Sequence, residues 1–298
     1  MDILYQLPFP HEVCSKIFVY ACKSPHTGLG VGMFENKLQI MDLDIPDKDK
    51  DIISFDADKQ DYYTYNKIHI DIFTCFPNLN TIDLGGGKVR VSGDIGDLVS
   101  LNKLSVFDLY NKEVYGSIEN FKSFPTLSKV CLSKTEVSGD IIHLKFLHNL
   151  SQLAMRKTKI TGDIVHLRSL RNLTIIILSG TYVTGDIAHL KSLENLNVID
   201  FDGASINGDI VHLKSLHNLT IIDLKETQVT GNIESLKSLH NLTWIDLQDT
   251  DVYGNIYNLK SIQNLNNIIL SNSYCTVDKE LFNEYRKTLG LEVCHIDY

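Results

Sequence analysis

Apolar residues recur along this chain with a period of 23 residues, between residues 67 and 274. One copy, residues 219–241, carries seven apolar positions: Leu219, Ile222, Leu224, Val229, Ile233, Leu236 and Leu239. Eight glycines mark the period, and each is followed two residues later by an isoleucine: Gly93, Gly116, Gly139, Gly162, Gly185, Gly208, Gly231 and Gly254. A period kept over eight copies is typical of a solenoid, in which each repeat is one structural unit.

A single repeat is too small to fold by itself. Burying seven aliphatic side chains stabilises by roughly 10–20 kcal/mol, whereas ordering one repeat costs roughly 35 kcal/mol at about 1.5 kcal/mol per residue. Stacked repeats cover one another's apolar faces, so only the array is stable. The pattern predicts one strand per repeat, at 79–84, 104–109, 127–132, 150–155, 173–178, 196–201, 219–224, 242–247 and 265–270.

The repeat wording L-x-x-I-x-L-x-x-T-x-V, as in Leu219 to Val229, resembles the leucine-rich repeat over residues 67–274. The V-x-G-x-I half resembles the plant-type subclass. Threonine stands where the family has asparagine, and no proline follows the isoleucine. The resemblance implies an α/β leucine-rich-repeat solenoid. Its curved parallel sheet would form the concave side, with short 3₁₀ or helical turns on the convex side, and its function would be protein recognition.

The two ends of the chain depart from the repeat. We expect residues 1–66 to form a helical cap with an acidic loop, and residues 275–298 to form a helix–strand cap. The N-terminal pattern predicts a helix over 9–23 and a short strand over 38–43. The C-terminal pattern predicts a helix that starts at Asp278 and stops at Gly290, followed by a strand over 291–296.

The segment from Leu7 to Tyr20 resembles the opening of an F-box, although two extra residues precede Glu12. An F-box would make the protein a substrate-receptor subunit of a ubiquitin ligase. The resemblance ends after about 14 residues, where a turn with Gly28, Gly30 and Gly32 follows. We therefore favour a plain capping helix and keep the F-box as the alternative.

The net charge and the cysteine spacing argue against several kinds of function. The formal net charge is −9, which disfavours nucleic-acid binding. Six cysteines occur without a C-x-x-C motif, so we expect neither a disulfide framework nor a zinc site. The first residues lack a basic stretch and no apolar run reaches membrane-spanning length, so we expect a cytoplasmic protein without a membrane span. We expect a monomer with no metal and no cofactor.

Equivalent residues of stacked repeats form rows about 4.8 Å apart, so surface rows can be examined for function. On the concave face, apolar residues run beside acidic ones towards the C-terminus, and basic residues lie in the middle repeats. An apolar row rimmed by charge is typical of a partner site. The predicted protein-binding residues are Ile175, Ile177, Val198, Asp200, Ile221, Asp223, Trp244, Asp246, Lys129 and Arg156. The competing explanation is that Ile and Val simply suit strands.

The other side of each repeat carries rows of Asp, His and basic residues. An Asp directly follows the glycine at Asp94, Asp140, Asp163, Asp186 and Asp209, where it is expected to cap the next turn. The chain contains no G-x-S-x-G, H-E-x-x-H or nucleotide fingerprint, so a hydrolase or transferase is the less favoured alternative. We predict a non-catalytic scaffold that binds a protein partner.

Overall fold

The computed structural model describes residues 31–34, 37–40, 67–75, 77–85 and 90–298. The predicted helix at 9–23, the F-box-like segment and the acidic loop at 42–61 lie outside these residues. The predicted strand at 38–43 is described as Lys37–Ile40. The division of the chain at 66 and 274 stays a prediction.

The described residues form short strands that recur with the sequence period. In chain order they are β1 Val31–Phe34, β2 Lys37–Ile40, β3 Lys67–His69, β4 Thr81–Asp83, β5 Arg90–Asp94, β6 Val106–Asp108, β7 Glu113–Ser117, β8 Lys129–Cys131, β9 Glu136–Asp140, β10 Gln152–Ala154, β11 Lys159–Asp163, β12 Ile175–Ile177, β13 Tyr182–Asp186, β14 Val198–Asp200, β15 Ser205–Asp209, β16 Ile221–Asp223, β17 Gln228–Asn232, β18 Trp244–Asp246, β19 Asp251–Asn255, β20 Asn267–Ile269, β21 Tyr274–Thr276 and β22 His295–Asp297.

These strands build two sheets. The first sheet has 12 strands in the order β1-β2-β4-β6-β8-β10-β12-β14-β16-β18-β20-β22, and it is the predicted concave sheet. Only its β1–β2 pair is antiparallel; the strands of the repeats are parallel, and Ile222 faces Ile199 and Ile245 one repeat away on either side. The predicted strand in each repeat is confirmed, but it is shorter, with three residues instead of six.

The second sheet was not predicted. It has 10 strands in the order β21-β19-β17-β15-β13-β11-β9-β7-β5-β3, and most of them contain the glycine half of a repeat. In β13 the buried Val183 lies between the exposed Tyr182 and Thr184. This alternation is a strand signal only a few residues long, and it becomes a strand because the neighbouring repeats supply hydrogen-bonding partners on both sides.

A 3₁₀ helix follows every strand of the second sheet except β21, as expected for the convex side. Within the described residues the 3₁₀ helices are Ile70–Cys75, Ile95–Leu98, Ile118–Ser123, Ile141–Leu144, Ile164–Leu167, Ile187–Leu190, Ile210–Leu213, Ile233–Ser238 and Ile256–Leu259. The aspartate caps are confirmed: Asp163 Oδ1 accepts a hydrogen bond from Val165 N at 2.7 Å. The core between the two sheets and these helices holds all seven apolar positions of repeat 219–241, each fully buried.

The periodic glycine and the aspartate cap depend on each other. Gly185 has φ +125°, a conformation that side-chain-bearing residues rarely adopt. A Cβ atom there would lie 2.4 Å from Asp163 Oδ1 of the preceding repeat. Glycine is therefore needed both for its backbone angle and because the capping carboxylate of the previous repeat packs against it.

Hydrogen bonds between repeats do not come from the threonine at the family's asparagine position. Thr181 Oγ1 donates within its own repeat, to Leu178 O at 2.5 Å. Asparagines of the loops supply an inter-repeat ladder instead, each amide donating to a carbonyl of the previous repeat at 2.8–2.9 Å: Asn172, Asn195, Asn218 and Asn241. The threonine hydroxyl therefore stabilises the turn, and the asparagines connect the turns.

The C-terminal helix is confirmed close to its predicted position, whereas the strand predicted over 291–296 is found later, at His295–Asp297. Helix α1 spans Lys279–Thr288 and is capped by Asp278, whose Oδ1 accepts from Leu281 N at 2.9 Å. Strand β22 pairs with β20 and so covers the end of the first sheet. Arg286 is fully buried between α1 and the last repeat. Its guanidinium donates to four carbonyl oxygens, those of Ile262, Gln263, Leu265 and Glu292.

Candidate functional site

The outward face of the first sheet carries the predicted binding residues in two parallel rows. In each three-residue strand the middle side chain is buried, and the two flanking side chains point outward, as Ile221 and Asp223 do on either side of Ile222. Strand register then aligns equivalent positions of neighbouring repeats. The first row contains Ile175, Val198, Ile221 and Trp244, and the second contains Ile177, Asp200, Asp223 and Asp246.

We call Ile175, Ile177, Val198, Ile221 and Trp244 the apolar strip. The four aliphatic side chains are half-buried, and Trp244 is 37% exposed. The strip crosses four neighbouring strands, so at about 4.8 Å per strand it is about 14 Å long. It presents a continuous apolar surface that the described residues leave partly open to solvent.

We call Asp200, Asp223 and Asp246 the acidic column. Each carboxylate accepts a hydrogen bond from the backbone N–H two residues later, at 3.1–3.2 Å. Asp200 also accepts from the Ser179 hydroxyl at 2.8 Å. These bonds orient the carboxylates on the strand ends, and the register places them side by side.

Burial makes ionisation of the acidic column costly. It raises the pKa of Asp223 to about 7, and the neighbouring Asp200 adds to that rise. Burial also raises the pKa of Asp200 and of Asp246, although Arg156 opposes the rise at Asp200 and Lys225 opposes it at Asp246. Desolvation and mutual repulsion therefore disfavour the ionised form of all three carboxylates, and at neutral pH Asp223 is only partly ionised.

The two predicted basic residues lie in different surroundings. Arg156 is exposed, and its Nη2 lies 4.0 Å from Asp202 Oδ2, beside the acidic column. Lys129 lies on β8, which β10 and β12 separate from the column, and its Nζ is 2.8 Å from Asp108 Oδ2. The structure therefore brings Arg156 into this surface and places Lys129 in an ion pair outside it.

Sequence reasoning missed two side chains of this surface. Ser179 donates to Asp200 across 21 residues of sequence. The positive charge of Lys225 opposes the pKa rise of Asp246, although the direct ion pair of Lys225 is with Glu226, at 3.2 Å between Nζ and Oε1. Nothing in the repeat pattern marks either residue, because both interactions depend on how neighbouring turns stack.

Trp244 is accessible enough to test the placement of this face without a partner. We expect its fluorescence, the only tryptophan signal of the chain, to be quenched readily by acrylamide. We expect Trp244→Ala to lower the free energy of unfolding by about 1.5 kcal/mol or less, because Trp244 lies on the sheet surface and is 37% exposed in the folded protein. A blue-shifted, poorly quenched emission with a loss of about 3–5 kcal/mol would show a core tryptophan instead.

The described residues show no arrangement suited to other kinds of site. Within them, no three His, Cys, Asp or Glu side chains are grouped so that they could hold a metal ion. None of their helices has the length and apolar character needed to cross a bilayer. Three of the cysteines, Cys131, Cys275 and Cys294, are free thiols.

Comparison with known proteins supports the fold through structure alone. No protein-family model matches the sequence, and no curated protein matches it either. Among solved structures it resembles the leucine-rich-repeat ectodomain of the Arabidopsis thaliana membrane receptor kinase GASSHO1/SCHENGEN3 in complex with Casparian strip integrity factor 2. The identity is 25%, the TM-score is 0.65, and the match covers 86% of this chain and 30% of that one.

Two further solved structures extend the comparison. The plant peptide hormone receptor RGFR1 in complex with RGF2 is 20% identical, with TM-score 0.64, over 77% of this chain and 41% of that one. An internalin from Listeria monocytogenes is 19% identical, with TM-score 0.54, and the match covers 76% of this chain and 69% of the internalin chain. This chain thus spans less than half of the two receptor chains. Stacked parallel strands, 3₁₀ turns and these likenesses agree, and the chain folds as a leucine-rich-repeat solenoid.

Proposed function

We propose that this protein is a non-catalytic scaffold that binds a protein or peptide partner on the outward face of its first sheet. The observation that carries the proposal is the apolar strip, which lies open beside the acidic column and ends at the exposed Trp244. Open apolar surface rimmed by charge is characteristic of interfaces, and aromatic anchors there contribute much of the binding energy.

The solved structures support a recognition role for this fold. The two receptor structures hold ligands, Casparian strip integrity factor 2 on GASSHO1/SCHENGEN3 and RGF2 on the peptide hormone receptor RGFR1. An open, stacked sheet suits such ligands because every added repeat adds one row of outward side chains. We propose the same use here, with a partner particular to this chain.

Binding without chemistry is the simplest account of the polar groups on this face. The carboxylates of the acidic column accept hydrogen bonds from backbone N–H groups of the turns, and Lys129 forms an ion pair with Asp108. We propose a cytoplasmic monomer without a cofactor, and the free thiols Cys131, Cys275 and Cys294 suit a reducing compartment. The ubiquitin-ligase alternative rests on the F-box-like sequence alone, and a pull-down of the ligase core with and without residues 1–36 would test it.

The proposal predicts that Trp244→Ala weakens partner binding by about 2 kcal/mol, or roughly 30-fold in Kd. Proximity labelling in the source cell would identify the partner, and calorimetry would give the affinity. Tyr182→Ala is the matched control because Tyr182 is an exposed aromatic residue on the second sheet, 69% accessible. Equal affinities for the two variants would contradict the proposed surface.

A further inference from the structure

The acidic column has no cation of its own among the described residues. Arg156 lies 4.0 Å from Asp202, and Lys225 lies 3.2 Å from Glu226, so each nearby cation has an acid outside the column. The column itself accepts hydrogen bonds only from turn N–H groups and from Ser179. Three partly desolvated carboxylates in register therefore have no direct ion-pair partner and feel Arg156 and Lys225 only at longer range, so a bound cation would add the missing contact.

The surroundings of the column select the kind of cation. The three carboxylates stand in a row, one per strand, and do not converge on one point as metal ligands must. The described residues hold no metal-binding group. The first row of the apolar strip runs parallel to the column and is two residues away along each strand, a distance of about 7 Å. An ammonium or guanidinium group attached to an apolar-rich chain fits both features.

We propose that the ligand of this face is a polypeptide segment with lysine or arginine beside large apolar residues, whose cation binds the acidic column while the apolar side chains cover the strip. This inference rests on the proposed function and names the partner's chemistry. It also implies that acidic or purely polar segments are rejected, because like charges repel and the strip would stay uncovered.

The proposed contact links binding to pH. Asp223 faces the carboxylates of Asp200 and Asp246, and Asp202 lies nearby. The positive charge of Arg156 opposes the pKa rise of Asp200, and that of Lys225 opposes the pKa rise of Asp246. The pKa of Asp223 is raised to about 7. Asp223 is therefore mostly neutral at pH 6 and mostly ionised at pH 8. A cation binds the ionised form and releases the proton, so affinity rises with pH, by about tenfold between pH 6 and pH 8.

Short blocked peptides with Trp244 fluorescence as the signal test this inference directly. The probes are alternating lysine–leucine, lysine–serine and glutamate–leucine peptides, together with calcium chloride. We expect the lysine–leucine peptide to bind best and to release protons, so that the binding enthalpy measured by calorimetry varies with the ionisation enthalpy of the buffer. Equal binding of the glutamate–leucine peptide, or a calcium response of the same size, would overturn the proposal.

Asp223→Asn is the decisive variant because it keeps the shape of the side chain and removes its charge. We expect the lysine–leucine affinity to fall about tenfold at pH 8 and the pH dependence to disappear. Asp251→Asn, on an exposed residue of the second sheet, is the control and should change neither. Thermal unfolding gives a second measurement that needs no ligand. Asp223→Asn should raise the melting temperature more at pH 8 than at pH 5, because only at pH 8 is the replaced carboxyl group charged and repelled by Asp200.

The outcomes separate this inference from the proposed function. If Trp244→Ala weakens the natural partner while Asp223→Asn leaves its binding and pH dependence unchanged, the binding face stands and the cationic ligand is wrong. If neither variant affects the natural partner, both are wrong. If both weaken it and the lysine–leucine peptide competes for the face, both are supported.

Discussion

Gly185→Val is expected to lower the free energy of unfolding by about 3–5 kcal/mol. The backbone at Gly185 has φ +125°, which a β-branched residue resists, and even a Cβ would approach Asp163 Oδ1 to 2.4 Å. The valine would therefore displace the aspartate that caps the previous 3₁₀ helix, in addition to straining its own backbone. Urea and thermal unfolding followed by circular dichroism would measure the loss.

Gly203→Asn is the matched control for this prediction. Gly203 also has a positive φ, +70°, but no atom lies within 4 Å of the position its Cβ would take. Asparagine stands at the equivalent position in two other repeats, where Asn111 and Asn272 adopt φ +58° and +59°. We expect a change of about 0.5 kcal/mol or less, because asparagine tolerates this conformation. Similar losses for both variants would show that the two glycine positions are not distinct.

Arg286→Met is expected to lower stability by about 3 kcal/mol and to loosen the C-terminal cap first. The fully buried guanidinium donates to four carbonyl oxygens, and methionine would leave them without these donors in the core. Because these bonds join α1 to the last repeat, we expect faster amide hydrogen exchange in α1 before global unfolding. Unfolding curves and exchange mass spectrometry would measure the two effects.

Lys287→Met tests whether the effect belongs to the buried guanidinium. Lys287 is the next residue of α1, is exposed and is also basic. Its replacement removes the same formal charge near the same helix end but no buried hydrogen bond, so we expect a loss of about 0.5 kcal/mol or less. A loss as large as that of Arg286→Met would point to helix-end charge rather than to the carbonyl contacts.

The sequence predicted which face of the first sheet carries the candidate binding residues, but not which charged side chains pair with one another there. Alternation within each strand predicts which side chains face outward, and the period predicts which repeat each one belongs to. Trp244 and Asp223 are placed on the same face by this reasoning, as found. The pairing of Lys129 with Asp108 and of Arg156 with Asp202 was not predicted, because the period does not specify which charged side chains meet between stacked repeats.

By itself the sequence determined the repeat, its buried positions, the first sheet, the aspartate caps and the C-terminal helix and strand. Each of these follows from local periodicity or from a terminal signal within a few residues, as at Asp278 and Gly290. Only the tertiary structure decided the second sheet, the contact between Gly185 and Asp163, and the role of Arg286. These features depend on partners 21 to 24 residues away in sequence, which meet only once the repeats have stacked.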